Sequence, residues 1–309
     1  MAEKILVSPR SLSRDGHPAL KKLEEKGFEI VTCSPGVQPT EEELLDKLPD
    51  CVGFLAGVEP VSEKVLASAK KLRVISRNGT GINSIDCAAA ERFGIPICRT
   101  PGANSRGVAE LALGLVFSLV RSIPFSDAAL KQEKWERRKG IELKGRTLGL
   151  IGCGMVGRYV AEMACGIGMN VIAYDPFPAE DFSPSPDFRF ASMVEVFETS
   201  DIISLHCPPP EDGAPLIDRE AVSKMKTGVY LVNTARGELL DDEAVLEALE
   251  NGKISGAALD AFRKEPPGED PLVRHERVIA APHVGAFTSE SVSRAVEAAV
   301  ENLLRELER

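Results

Sequence analysis

The chain has 309 residues, 43% of them hydrophobic and 27% charged, with a formal net charge of −10. That balance describes a globular protein with room for two domains of ordinary size. The surplus of acid argues against a general nucleic-acid or anionic-membrane surface and leaves at most a local basic pocket for an anionic substrate.

The first hundred residues alternate between two patterns. Short apolar runs at residues 4–8, 28–32, 51–56, 72–76 and 96–98 predict strands. Amphipathic stretches at 20–26, 40–48, 62–70 and 85–93 predict helices, with Thr40 ahead of Glu42 and Glu43, and Ser62 ahead of Glu63, as helix starts. This βαβ alternation implies a parallel sheet with helices on both faces. The apolar run 108–120 contains Glu110 and is too short to span a bilayer, which makes it a core or dimer helix. A second series of strands is expected at 147–151, 170–174, 201–205, 229–233, 256–259 and 278–280, the six of a full dinucleotide fold. Residues 241–250 form a helix with acids in its first turn and Asn251-Gly252 as its stop, and 176–187, rich in Pro, Ser and Phe, form a loop. The last segment, 288–309, reads as one long amphipathic helix that returns to the first domain. The expected fold class is α/β with two doubly wound parallel-sheet domains. A Rossmann cofactor domain, 100–286, is inserted into a flavodoxin-like substrate domain, 1–99 with 287–309. A cleft between two such domains is a usual place for chemistry.

Seven cysteines, Cys33, Cys51, Cys87, Cys98, Cys153, Cys165 and Cys207, are odd in number and contain no close CxxC pair. They read as reduced thiols in a cytoplasm, and no metal site is expected. Ala2-Glu3-Lys4 leads straight into a strand, so no signal peptide is expected.

The most informative segment runs from Thr147 to Arg158 and contains Gly152, Gly154 and Gly157, with Asp175 at the end of the following strand. Gly152 permits a tight turn, Gly154 lets backbone approach a pyrophosphate, and Gly157 lets the helix pack close to the strand. The helix N-terminus offers amides to phosphates, and Asp175 is placed to accept both ribose hydroxyls. An acid there, with no Arg immediately after it, selects NAD over its 2′-phosphorylated form.

Three later strand ends each deliver a functional group. They are Asn233-Thr234-Ala235-Arg236-Gly237, Asp260-Ala261-Phe262-Arg263-Lys264-Glu265-Pro266 and Ala281-Pro282-His283-Val284-Gly285-Ala286. With the mid-chain fingerprint, these motifs stand in the order found in the D-isomer-specific 2-hydroxyacid dehydrogenases, and the resemblance covers essentially the whole chain. Arg77-Asn78-Gly79-Thr80-Gly81 and Pro101-Gly102-Ala103-Asn104-Ser105 are most similar to the short phosphoglycerate dehydrogenases of that family.

The resemblance implies reversible hydride transfer between C2 of a 2-hydroxy acid and the nicotinamide of NAD. His283 is the implied acid–base, Glu265 its partner raising the imidazole pKa, and Arg236 the fork that binds the carboxylate and the C2 oxygen. Thr80, Met155, Val156, Cys207, Thr234, Asp260, Gly285 and Ala286 are implied to line the cofactor, Asp260 near its carboxamide. Backbone amides at Asn78, Gly79 and Thr80, with the Asn104 side chain, are implied to cradle the substrate carboxylate. His206 is the rival base and is expected to line the cofactor; His17 and His275 read as surface residues. Arg77 and the basic cluster Trp135-Glu136-Arg137-Arg138-Lys139 favour an anionic substrate tail, whereas Leu55-Ala56-Gly57-Val58-Glu59 lacks the basic residue that many phosphoglycerate enzymes carry there. Phosphoglycerate is therefore the leading substrate, with hydroxypyruvate, glyoxylate and sulfolactate as alternatives. An NAD(H)-sensing co-repressor-like binding protein is the alternative of another class. A homodimer or higher homo-oligomer is expected through 108–139. The chain stops after the closing helix, so no C-terminal regulatory extension is expected.

Overall fold

A computed structural model describes residues 2–179 and 181–309. Met1, in the expected first domain, and Glu180, in the expected loop, lie outside the described residues. The chain divides into two units, Met1–Asn104 with Ser289–Arg309, and Ser105–Thr288. The expected boundaries stood a few residues earlier, at 99/100 and 286/287.

Unit 1 is a five-stranded parallel sheet, β1 (Lys4–Val7), β2 (Glu29–Thr32), β3 (Cys51–Ala56), β4 (Val74–Arg77) and β5 (Ile97–Cys98), in the order β2-β1-β3-β4-β5. Its helices are α1 (Arg10–Asp15), α2 (Lys21–Glu25), α3 (Glu41–Lys47), α4 (Glu63–Ser68) and α5 (Cys87–Arg92). The helix starts at 40 and 62 are capped as the residue types imply: the Glu43 amide donates to Thr40 Oγ1 at 3.3 Å and the Val65 amide to Ser62 Oγ at 3.4 Å. Both faces of the sheet are buried. Leu6, Phe54 and Ile75 pack under α3, α4 and α5, and Ile5, Val7, Leu55 and Val74 pack against the closing helix of the chain.

Unit 2 opens with α6 (Ser105–Val120) and α7 (Ile123–Lys131), bent 62° from each other. Among the described residues no single helix is long and apolar enough to cross a membrane. The sheet that follows holds seven parallel strands, β6 (Thr147–Ile151), β7 (Asn170–Tyr174), β8 (Phe188–Phe190), β9 (Ile202–Leu205), β10 (Val229–Asn233), β11 (Ile254–Leu259) and β12 (Val278–Ala280). Their order is β12-β11-β10-β9-β6-β7-β8. The helices between them are α8 (Met155–Gly166), α9 (Met193–Thr199), α10 (Arg219–Lys224), α11 (Asp242–Glu250) and α12 (Pro271–Arg274). The last helix, α13 (Ser289–Leu307), belongs to unit 1, where Val296, Val300, Leu303 and Leu307 are buried.

One strand was not expected. Phe188–Phe190 is only three residues long, pairs with β7 alone, and follows a Pro- and Ser-rich approach that reads as loop. The edge strand β12 is equally short, but Val278-Ile279-Ala280 is an unbroken apolar run, whereas Phe188-Arg189-Phe190 has a charge at its centre. What holds it is aromatic packing: Phe188 meets Phe182 and Phe190 edge-to-face, each with ring centroids 5.1 Å apart.

The register of unit 2 decides where its chemistry gathers. Ile151 pairs with Tyr174 and Leu205, Asn233 with Leu205 and Leu259, and Leu259 with Ala280. The residues just beyond this row therefore share one rim: Gly152, Asp175, His206, Thr234, Asp260 and Ala281.

Candidate active site

At the end of β6 each glycine of the fingerprint has a separate steric reason. Gly152 has φ +95°, and a Cβ on it would lie 2.6 Å from the His206 carbonyl carbon, so β6 turns hard against the end of β9. A Cβ on Gly157 would collide with the Gly152 carbonyl oxygen, which is the close helix-to-strand packing expected. A Cβ on Gly154 would meet nothing within 4 Å, so the approach to the start of α8 is open. That helix begins without any side-chain cap, which leaves its first amides free for an anion. Met155 is 54% exposed there, and Val156 packs on the core. The Asp175 carboxylate receives the Cys153 amide at 2.7 Å and the Phe177 amide at 2.9 Å. These bonds fix the acid at the strand end and use one direction on each oxygen.

His206 and Thr234 fill the rim between β9 and β10. His206 shares a hydrogen bond of 2.9 Å with Ser204 Oγ through Nε2, while its Nδ1 is buried without a partner. Burial pushes its pKa down to about 4, so the ring is neutral at ordinary pH. Thr234 Oγ1 is likewise buried and unpartnered. Burial also pushes the Cys207 thiol up to about 11, which makes it a neutral wall. An open glycine turn, an uncapped helix start, a strand-end acid and two orphaned polar atoms are the lining a dinucleotide needs.

The motif at 233–237 is a device for presenting Arg236. The buried Asn233 side chain accepts the Ala235 amide at 3.0 Å and donates to the Arg236 carbonyl at 2.8 Å, so it bends its own chain into a turn. Gly237 lies against the 262–263 backbone, where a Cβ would collide. Between them Arg236 is half-buried, with one guanidinium nitrogen 2.7 Å from the Ala235 carbonyl and, among the described residues, no ion pair on the rest of the fork.

Glu265 and His283 meet on the neighbouring strand ends. His283 Nδ1 is 2.9 Å from both Glu265 oxygens, and Oε1 also accepts the Phe262 amide at 3.1 Å. A carboxylate on Nδ1 fixes the tautomer that leaves Nε2 as the basic nitrogen. The backbone of His283 is left-handed, φ 52°.

Asp260 is responsible for holding that loop. It is 1% exposed, and its two oxygens accept the Val284 and Gly285 amides at 2.8 Å each. Burial raises its pKa while these two amides oppose the rise. Sequence reasoning placed Asp260, Gly285 and Ala286 on the cofactor. In the structure each Asp260 oxygen accepts one amide, as each Asp175 oxygen does, and these bonds, with the Gly285 amide, fix the segment that carries His283; Ala286 is half-buried beside it. Asn233 and Ser204 were not singled out from sequence, although an Asn at a strand end is a turn signal.

Arg77, Asn78, Gly79, Thr80 and Asn104 belong to unit 1. Two of the three amides expected to cradle a carboxylate are already engaged: Asn78 donates to the Ala56 carbonyl at 2.9 Å and Gly79 to the Arg77 carbonyl at 2.8 Å. The strand pairing and the tight turn use them first. Thr80 is exposed and Asn104 half-buried. Of the remaining histidines, His17 caps a helical turn and bonds Ser293 Oγ at 3.2 Å, and His275 accepts the Arg277 amide at 3.1 Å. Both are structural.

Residues 113–285 match the model of the D-isomer specific 2-hydroxyacid dehydrogenase NAD binding domain. The human D-3-phosphoglycerate dehydrogenase is 40% identical over 280 residues, 90% of this chain and 52% of that protein. The chain thus spans about half the length of the phosphoglycerate dehydrogenases it matches. A hydroxypyruvate reductase of Thermotoga maritima is 40% identical over 273 residues, 86% of this chain and 88% of that protein. A Thermus thermophilus protein of known crystal structure superposes with a TM-score of 0.88 at 34% identity, covering 99% of this chain and 97% of that one.

Proposed function

Since the chain belongs to the D-isomer-specific 2-hydroxyacid dehydrogenase family and carries its NAD-binding domain, we propose that it is an NAD-dependent dehydrogenase of D-2-hydroxy acids. The observation that carries this reading is the pairing of His283 Nδ1 with both oxygens of Glu265, on strand ends next to the one that presents Arg236. NAD, when bound, supplies the hydride acceptor; its phosphates suit the start of α8 and its ribose suits Asp175.

The chain's own residues then divide the work. His283 Nε2 takes the hydroxyl proton as C2 is oxidised and returns it in reduction. Glu265 keeps Nδ1 protonated and stabilises the imidazolium that forms. The Arg236 fork binds the carboxylate and polarises the C2 carbonyl in reduction. Asp260 holds the His283 loop.

Kinship with phosphoglycerate and hydroxypyruvate enzymes supports a three-carbon acid substituted at C3. The apolar side chains left exposed along α6, α7 and the following segment, Phe117, Ile123, Leu130 and Trp135, support a homodimer through that arm. Within the arm, Arg138 turns onto its own subunit, stacked 3.5 Å above Phe125 and 3.0 Å from Glu276, so it is not free to receive a substrate tail. Seven free cysteines support a reducing, cytoplasmic setting.

The test is NADH oxidation against glyoxylate, pyruvate, hydroxypyruvate, 3-phosphohydroxypyruvate, 3-sulfopyruvate and 2-oxoglutarate. Turnover of at least one of the three-carbon acids is expected. NADH binding with no turnover of any acid would sink the reading and favour a binding protein.

A further inference from the structure

Beyond Arg236 the chain makes one tight turn, Gly237–Leu239, before α11 begins behind Asp241. On one flank this turn is bonded backbone to backbone. The Leu216 and Ile217 amides each donate to the Leu239 carbonyl at 2.9 Å, and the Asp241 amide donates to the Ile217 carbonyl at 3.0 Å. On the other flank lies the segment after β11, so close that a Cβ on Gly237 would collide with the Phe262 carbonyl carbon. Among the described residues no backbone hydrogen bond crosses this second flank.

Arg263 crosses it with a side chain. Its Nε donates to the Leu240 carbonyl at 3.2 Å, and one terminal nitrogen donates to the same carbonyl. That nitrogen also lies 3.4 Å from the Glu238 carbonyl oxygen, and the Asp242 carboxylate stands 3.8 Å from Nε. A guanidinium holds its donors at fixed angles in one plane, so a grip on two carbonyls two residues apart sets the orientation of the turn as well as its distance. The Arg263 side chain is 43% exposed, so its ion pair with Asp242 adds little to overall stability. The effect is local. Glu238 and Leu240 follow Arg236 by two and four positions, and Arg263 precedes Glu265 by two. One guanidinium thus ties the turn that presents the substrate fork to the segment that carries the partner of His283.

We propose that Arg263 is a positioning residue for the dehydrogenase reaction: by clamping the Glu238 and Leu240 carbonyls it aims the Arg236 guanidinium at the carboxylate of the 2-oxo acid. Arg263 acts through Arg236, and its role rests on the dehydrogenase reading given above. A misaimed fork weakens the hold on the carboxylate and on the C2 oxygen together, while the bond between Glu265 and His283 Nδ1 stays in place.

The experiment measures kcat and KM for the 2-oxo acid that the wild type reduces fastest. The proteins compared are the wild type, Arg263→Ala, Arg263→Lys, Arg236→Ala and the double variant Arg236→Ala/Arg263→Ala. Arg263→Ala is expected to raise KM for the acid about tenfold and to lower kcat a few-fold. The NADH dissociation constant and the pH profile of kcat/KM should not move. Arg263→Lys keeps the charge and loses the fork, so most of the defect is expected to persist. In the double variant, the second substitution should deepen the loss from Arg236→Ala by less than about twofold, because no fork remains to be aimed.

A wild-type KM in Arg263→Ala overturns the proposal and leaves the dehydrogenase reading standing. Additive losses in the double variant overturn it too, as does full recovery in Arg263→Lys, which would reduce Arg263 to a charge. A shifted pH profile also overturns it, since the effect would then run through Glu265 and His283. If Arg263→Ala fails to fold, judged by its circular dichroism melt, Arg263→Lys decides: a raised KM supports the proposal and a wild-type KM overturns it. A wild type that reduces no 2-oxo acid defeats the dehydrogenase reading, and the role of Arg263 with it.

Discussion

The two parallel sheets end in rims of different make-up. In unit 2 the part of the rim that carries Arg236 and His283 is held by saturated contacts, although His206 Nδ1 and Thr234 Oγ1 beside it are buried and unpaired: Asp260 spends both oxygens on two amides, Asn233 spends oxygen and nitrogen on one turn, and Glu265 spends both oxygens on His283. In unit 1 the rim keeps Ser76, Arg77, Asn78 and Thr100 with buried polar atoms unpaired. The difference teaches where each kind of work sits. A proton-transfer pair needs fixed geometry, and fixed geometry comes from satisfied hydrogen bonds. Recognition of a polar ligand needs hydrogen-bonding groups still available when the ligand arrives.

Changes on the saturated rim are expected to be the most costly, and His283→Ala the most costly of these. It should lower kcat by about 10³-fold or more while leaving the NADH dissociation constant within a few-fold, measured by steady-state kinetics beside a fluorescence titration. A variant with wild-type turnover would remove His283 from the chemistry.

Next comes Asp260→Ala, which strips two amides of their acceptor. A loss of about 10²-fold in kcat is expected from a misplaced His283 loop, together with a lower melting temperature. Equal kinetics with only a lower melting temperature would mean that the loop is held by other contacts.

His206 tests the same rim through pH. Its folded pKa, about 4, lies below the ordinary 6.5, so the unfolded chain binds the extra proton first as pH falls. The stabilising effect of a neutral His206 is complete above pH 6.5 and is lost as pH drops toward 4; between pH 6.5 and 5 the wild type should lose about 1.5 kcal/mol from this group. His206→Asn should flatten that part of a urea-melt pH profile, and an unchanged slope would show that the ring is not buried neutral.

The smallest effect belongs to unit 1. Thr100 is 2% exposed with an unpartnered hydroxyl, so Thr100→Val should change stability by less than about 1 kcal/mol, in either direction. A cost of several kcal/mol would mean the hydroxyl is already satisfied and would erase the contrast between the rims.

The same contrast explains what was legible beforehand. Gly152, Gly157 and Gly237 stand where a side chain collides with backbone, and such steric demands leave fixed letters at fixed spacing. Strands β6, β7 and β10 were legible end to end because both of their faces are apolar. Strand β8 was not, since its support comes from Phe182, which lies outside the strand. Glu59 was read only as a missing base. Nothing in Gly57-Val58-Glu59 tells that Ser8, from another strand, closes over the carboxylate. Asp260 was placed at the right rim, but its hold on the His283 loop was not foreseen, because the amides it accepts stand 24 and 25 positions away.

The placement of α13 bears on how the protein is made. Unit 2 is one uninterrupted stretch, so it has all its parts soon after Thr288 leaves the ribosome. Unit 1 is started first and completed last: Ile5, Val7, Leu55 and Val74 have only Leu12, Ala19, Leu20 and Leu23 and their neighbours over one face until Val296, Val300 and Leu303 are synthesised. During that interval the nascent chain carries a half-covered apolar sheet ahead of a finished neighbour, and this is the stage at which a holding chaperone has something to hold.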